Sequence, residues 1–298
     1  MLTDRQIDKM LGKLTRLETT LERLLFEKVD DLSMQALPTD GSYHSIPDRS
    51  LFSPCKSGDS WVGEGSYCWF LGSYTVPEQL AGKTLYIYPK IDGYEGMLWV
   101  DGEPFGNFSS KMIISSHGNH YCDMLKQNVA ANENIEIALE YYANHYIIGT
   151  QPFEVNPNKE FKITYHGVDI CVRNERVWDA YFNLRIVNQM VKVLDENSYR
   201  RANLINVLTK VHEIVYYDYE NVEKEEFLTC LEKANQLLKE ALQEKNSANV
   251  PYAGFIGHSH MDTAWLWDQN ETLKKCARTY SNQMNLMEQY PDYKFIQS

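Results

Sequence analysis

Apolar residues recur at three- and four-residue spacing over residues 3–29, at Ile7, Met10, Leu11, Leu14, Leu17, Leu21, Leu24 and Leu25. That period predicts an amphipathic helix, with Thr3 or Asp4 placed to cap its start. Its apolar stripe needs a cover, either the rest of the same chain or a second subunit. Residues 30–60 lose the period. Pro38, Gly41, Pro47, Pro54 and Gly58 stand there among polar residues, which predicts a connector. Over residues 61–170 short β-rich runs alternate with turn signals, at 68–71, 84–88, 96–100, 135–141 and 161–165. Asp101-Gly102, directly after Trp99 and Val100, is a hairpin-turn dipeptide. Several short strands at this spacing predict a β-sandwich.

The texture turns helical over residues 171–248. Val177, Tyr181, Leu184, Val187, Met190, Val191 and Leu194 form one stripe. Leu204, Leu208, Val211, Ile214 and Val215 form a second, and Phe227, Leu231, Leu238, Ala241 and Leu242 a third. Asp195, Asn197 and Ser198 separate the first pair, and residues 218–222 the second, so a small helical bundle is expected. A polar linker ends at Pro251. Beyond it, an apolar run over 252–257 reads as a buried strand. Residues 271–290 read as a helix through Leu273, Ala277, Tyr280, Met284 and Met287, stopped by Pro291; residues 293–297 read as another strand. Strand, helix, strand is how a parallel α/β fold opens. The expected architecture is multidomain α+β, with four parts. These are an N-terminal helix and connector (1–60), a β-sandwich module (61–170), a helical segment (171–248) and the truncated start of an α/β domain (249–298). Such a start leaves strand edges and one face uncovered, so residues 249–298 are expected to pack weakly without further partners.

Composition narrows the function classes. Of 298 residues, 43% are hydrophobic and 12% aromatic, which fits folded domains rather than disorder. The net charge of −12 opposes nucleic-acid backbones and anionic membrane surfaces. No basic start precedes an apolar run at the N-terminus, and no stretch approaches the roughly eighteen apolar residues of a membrane helix. Six scattered cysteines without a CxxC pair read as reduced thiols, so a cytoplasmic protein is expected. Twenty tyrosines suit sheet surfaces and sugar-binding faces alike.

The candidate chemistry sits in FIGHSHMDTAWLW, residues 255–267. His258, His260 and Asp262 alternate, so an extended backbone projects them to one side. Imidazole nitrogen and carboxylate oxygen are zinc donors, and the C-terminal ends of strands form the active face of α/β barrels. Trp265 and Trp267 follow, and an indole face can carry the C–H face of a sugar ring. A pair of histidines after a strand also fits the metal-binding opening of amidohydrolase barrels, though that reading leaves Asp262 and both tryptophans unused. His117, His120 and His145 read as solvated loop histidines.

The segment 255–267 closely resembles the first catalytic motif of the glycoside hydrolase family 38 α-mannosidases, in their bacterial and cytosolic branch. The likeness continues through Glu271-Thr272, Lys275 to Thr279, Ser281, Leu286-Met287, Tyr290-Pro291 and Phe295. Upstream, LWVDGEP (98–104) resembles jelly-roll modules appended to carbohydrate enzymes, and the segment around FNLRI (182–186) resembles the same branch. The resemblance implies that residues 249–298 open a (β/α)7-type barrel. It implies that His260 and Asp262 belong to a zinc-ligand set completed by a second Asp and a later His beyond Ser298. It also implies that Trp265 walls the mannose subsite, with His258 as a neighbour orienting the site. The implied reaction is retaining hydrolysis of terminal α-mannosidic bonds in glycans or oligosaccharides, with the nucleophile and general acid also expected beyond Ser298. No catalytic carboxylate is therefore assigned here, Glu288 and Asp292 included, and residues 1–298 alone are expected to be inactive. Homo-oligomers are compatible with the resemblance. The competing class is a non-catalytic carbohydrate-binding or assembly protein.

Overall fold

The computed structural model describes residues 2–109, 121–143, 161–244, 253–263, 265 and 267–297. His117, His120 and His145 lie outside these residues. The chain forms two compact units, one of Met1–Glu27 with Arg173–Tyr252 and the other of Lys28–Val172 with Ala253–Ser298.

The first unit is helical. Its helices are α1 (Asp4–Arg23), α2 (Glu175–Val193), α3 (Tyr199–Ile214) and α4 (Lys224–Gln243). Thr3 and Gln6 form a capping box on α1, and the side chains of Asn174 and Ser198 cap α2 and α3. Met10, Leu14, Leu17 and Leu21 of α1 join Val177, Tyr181 and Leu184 of α2, and Phe227 and Leu231 of α4, in one core. The stripe of α1 is thus covered by its own unit. The helix stops at Arg23, and the next residues turn into a strand instead of continuing to 29.

The second unit is built on two antiparallel sheets. Its strands are β1 (Phe26–Leu32), β2 (Gln35–Thr39), β3 (Ser53–Pro54), β4 (Ser60–Val62), β5 (Tyr67–Thr75), β6 (Leu85–Asp92), β7 (Glu95–Val100), β8 (Glu103–Ser109), β9 (Asp123–Lys126), β10 (Asn134–Tyr142) and β11 (Lys162–Arg173). One sheet runs β1-β11-β6-β9 with β4 beside β11, and the other runs β3-β2-β5-β10-β7-β8. The strands begin well before residue 61: β1 and β2 occupy part of the stretch expected to be a connector. Charged FEKVDDL and Pro38 hide the strand period there, because these strands bury few side chains. The hairpin at Asp101-Gly102 forms as expected. Val100 pairs with Glu103, and both turn residues have positive φ, 50° and 90°, as a two-residue primed turn requires.

Alternate residues of β5 and β10 face opposite ways. Cys68, Phe70, Ile135, Ile137, Leu139 and Tyr141 enter the core between the sheets. Trp69, Leu71 and Ala138 instead join Phe52, Met97 and Trp99 on the outer face of the six-stranded sheet. All six cysteines are free. Burial, with Asp59 adding to it, pushes the Cys55 thiol up to about 11, and the thiol donates to the Met34 carbonyl at 3.3 Å. At pH 8 Cys55 is expected to alkylate with iodoacetamide roughly tenfold more slowly than in the denatured chain. The scarcity of thiolate outweighs the greater nucleophilicity of a high-pKa sulfur. Peptide mapping of the label checks this, and equal rates in both states would refute it.

Residues 253–297 complete the second unit. A short strand β12 (Gly257–Ser259), helix α5 (Gln269–Gln289) and strand β13 (Phe295–Gln297) follow one another, and β12 and β13 pair in parallel. The expected order is present, but the expected burial is reversed. Phe255 is 92% exposed, and Leu273, Met284 and Ile296 are also exposed. The side of α5 that is covered carries Glu271, Lys274, Arg278, Asn282 and Asn285. The strand expected over 252–257 forms at Gly257–Ser259 instead, leaving Phe255 before it without cover, and the surface under α5 is charged. Among the described residues no closed barrel is present, and no helix is long and apolar enough to cross a membrane.

Candidate functional site

The site is built on the β12-to-α5 connection. His258 lies in β12 opposite Ile296 of β13, and the strand ends at Ser259. His260 and Asp262 follow it on the connection. The structure brings them together, with His260 Nε2 3.0 Å from Asp262 Oδ1 and both side chains open to solvent. An imidazole nitrogen and a carboxylate oxygen this close can share one cation. Among the described residues no third His, Cys, Asp or Glu joins them in a metal-sized group. The donors fit zinc in kind.

Trp265 is 52% exposed and stands at 88° to Trp267, with ring centroids 5.1 Å apart. One indole face therefore remains open beside the His260–Asp262 pair in sequence. Trp267 is held more firmly. Its Nε1–H donates to Thr272 Oγ1 at 3.1 Å, and the Thr272 hydroxyl donates to the Thr263 carbonyl at 3.0 Å. Lys275 Nζ lies 4.8 Å from the centre of the Trp267 ring, in cation–π range. Asp268 caps α5 by accepting from the Glu271 amide.

Beneath α5 lies an ion network that the sequence reading did not single out. Lys274 pairs with Glu140, and the two side chains are 3% and 2% exposed. Lys274 also donates to the Tyr43 carbonyl at 2.6 Å. Glu95 accepts from Lys275 Nζ at 2.9 Å and lies 2.9 Å from Arg278 Nε. Arg278 and the Tyr67 hydroxyl both donate to Glu271. Asn270 Nδ2 donates to the Gly41 carbonyl at 2.9 Å, pinning the first turn of the helix. The signal was present in the spacing of Glu271, Lys274, Lys275 and Arg278, which puts four charges on adjoining turns. Such a run ordinarily marks a solvated face.

Burial works to raise the Glu95 carboxyl, but the charges of Arg278 and Lys275 outweigh it and leave the group lowered. At Glu140 burial wins over Lys274, and the group is raised. The two act oppositely on stability. The contribution of Glu95 is present above the unfolded value of about 4.3 and is lost as pH falls through its lower folded value. That of Glu140 is present below the unfolded value and is lost as pH rises through its higher folded one. Burial and the Glu271 charge push the Tyr67 phenol up, so it stays a donor.

Comparisons with known proteins match two stretches of the chain. A family model described as the alpha-mannosidase jelly roll domain matches residues 29–169, which span the two sheets. Another, described as the glycosyl hydrolases family 38 N-terminal domain, matches residues 252–298, which hold His260, Asp262 and α5. The chain is 26% identical over 249 residues to the alpha-mannosidase 2C1 of Mus musculus, covering 82% of this chain and 22% of that protein. It is 26% identical over 252 residues to the alpha-mannosidase G of Dictyostelium discoideum, covering 83% and 22%. An alpha-mannosidase of Saccharomyces cerevisiae is 51% identical over 43 residues, 14% of this chain and 4% of that protein. The chain thus spans about a quarter or less of these relatives. With the jelly roll and the opening of the family 38 N-terminal domain matched in succession, the chain is similar to the N-terminal portion of α-mannosidases of glycoside hydrolase family 38.

Proposed function

We propose that these segments serve zinc-dependent, retaining hydrolysis of terminal α-mannosidic bonds in glycans or oligosaccharides. The observation that carries the reading is the His260–Asp262 pair, 3.0 Å apart at the end of a strand, inside the segment matched by the family 38 N-terminal domain. In this reading His260 Nε2 and Asp262 Oδ1 are two of the donors to one Zn2+, and the remaining donors lie outside residues 1–298. Bound zinc would supply Lewis-acid charge to sugar hydroxyls and so support an oxocarbenium-like transition state. Trp265 offers its open face to the C–H side of the sugar and fixes the ring plane. His258, two residues before His260, orients the site from the strand. Residues 253–297 then form the opening of a (β/α)7-type barrel, whose further strands and helices cover Leu273, Met284 and Ile296. The six free cysteines suit a reducing compartment, and a cytoplasmic location belongs to the same reading.

The test uses the full-length protein that carries these segments, freed of metal with a chelator and assayed on an aryl α-mannoside. Release is expected to vanish on chelation and to return with added Zn2+. Release that survives complete removal of metal would overturn the zinc assignment. No release from zinc-loaded protein, with a mannosylated glycan still bound, would favour the non-catalytic carbohydrate-binding reading.

A further inference from the structure

The His260–Asp262 connection is exposed and short of regular structure, so something must hold its shape. Four contacts lead from it into the sandwich. Thr263, next to Asp262, has its carbonyl bound by the Thr272 hydroxyl of α5, and that hydroxyl also receives the indole N–H of Trp267. Lys275, less than one turn further along α5, lies over the Trp267 ring. The same ammonium pairs with Glu95 at 2.9 Å, at the first residue of strand β7. A further contact sets Cys276 Sγ 3.3 Å from Met261 Sδ, between His260 and Asp262.

From this geometry we infer that Glu95 of the jelly roll and Lys275 of α5 are positioning residues for the metal-binding connection. The sandwich sets the orientation of His260 and Asp262 through the path Glu95–Lys275–Trp267–Thr272–Thr263. Lys275 is the joint, because a single ammonium satisfies both the sheet carboxylate and the indole face. Glu95 and Lys275 are 25% and 18% exposed, so this pair is partly wet, unlike the dry Lys274–Glu140 pair that fastens the helix. Loss of the joint therefore loosens the connection while the helix stays docked through Lys274 on Glu140 and Glu271 on the Tyr67 hydroxyl. For zinc, this inference rests on the reading proposed above; for the shape of the connection it stands alone.

The test compares the full-length wild-type protein with its Glu95→Gln, Lys275→Gln and Lys275→Arg variants in two measurements. Hydrogen–deuterium exchange of peptides covering 257–267 is expected to speed up about tenfold in both Gln variants, while peptides of β5 and β10 keep their protection. Lys275→Arg keeps the charge, the ion pair and the stacking on Trp267, and is expected to restore the wild-type rate. Zn2+ alone, titrated into each protein, is expected to bind about tenfold more weakly to the Gln variants, as loss of an outer partner does at other zinc sites. Unchanged exchange in Lys275→Gln overturns the inference whatever the metal does. Faster exchange with unchanged zinc affinity overturns the positioning role. Faster exchange spread equally over β5 and β10 also overturns it, since the pair would then be general scaffolding. Wild-type protein that binds no Zn2+ defeats the zinc reading, and the exchange result still decides the coupling.

Discussion

Asp262→Ala in the full-length protein is expected to lose bound zinc and to cut aryl α-mannoside hydrolysis by about a thousandfold or more. Asp262 supplies the only negative charge in the pair with His260, whose ring is neutral when it ligates. If Asp262 holds zinc as proposed, removing the carboxylate deletes a bond to the metal and the charge that offsets its +2. Loss of an outer partner alone costs about 10–100-fold in metal affinity, so loss of a donor must cost more. His260→Ala is expected to follow the same course. Asp262→Asn keeps an oxygen donor without the charge and is expected to fall between, with activity partly recovered at high Zn2+. Metal content by mass spectrometry, read beside the rate, separates this from misfolding. A folded Asp262→Ala protein with full zinc and full rate would remove Asp262 from the site.

Glu140→Ala is expected to cost about 3–5 kcal/mol of stability in the sandwich unit. The reason is the neighbour it leaves behind: Lys274 would keep its ammonium 3% exposed, with no carboxylate against it and the Tyr43 carbonyl and the Tyr67 ring as its remaining partners. An uncompensated buried charge costs more than the pair was worth when intact. The double variant Glu140→Leu with Lys274→Met removes both charges and is expected to unfold near the wild-type midpoint, or above it by about 1–4 kcal/mol. Trp69 lies directly opposite Glu140 in the β5–β10 ladder and gives the fluorescence signal for denaturant unfolding. A Glu140→Ala protein as stable as wild type would mean that water reaches Lys274.

These two residues divide differently between sequence and structure. Asp262 stands out in the chain because its chemistry is local: two histidines, one aspartate and two tryptophans crowd a few positions after an apolar run. The distance from His260 to Asp262 needs little more than the short span between them. Glu140 was hidden for the opposite reason. Period two along β10 sends Ile135, Ile137, Leu139 and Tyr141 inward and turns Glu136, Ala138 and Glu140 outward. Outward ordinarily means solvated, and Glu136 is exposed as that rule expects. Glu140 is covered because α5, more than a hundred residues later, lies on the same face.

The sequence by itself determined the helices of the first unit, the β7–β8 hairpin and the His260–Asp262 motif. In each case the cause is short-range: a 3.6-residue stripe, a two-residue turn that accepts positive φ, or donors within two residues of each other. It did not determine that β1 and β2 join the sandwich, since strands that bury little show no period. Nor did it determine which side of α5 is covered. Amphipathicity says only that one face of a helix is apolar, and the surface it meets decides which face is buried. Here that surface presents Glu95, Glu140 and Tyr67, so α5 turns its charges inward and leaves Leu273 and Met284 exposed.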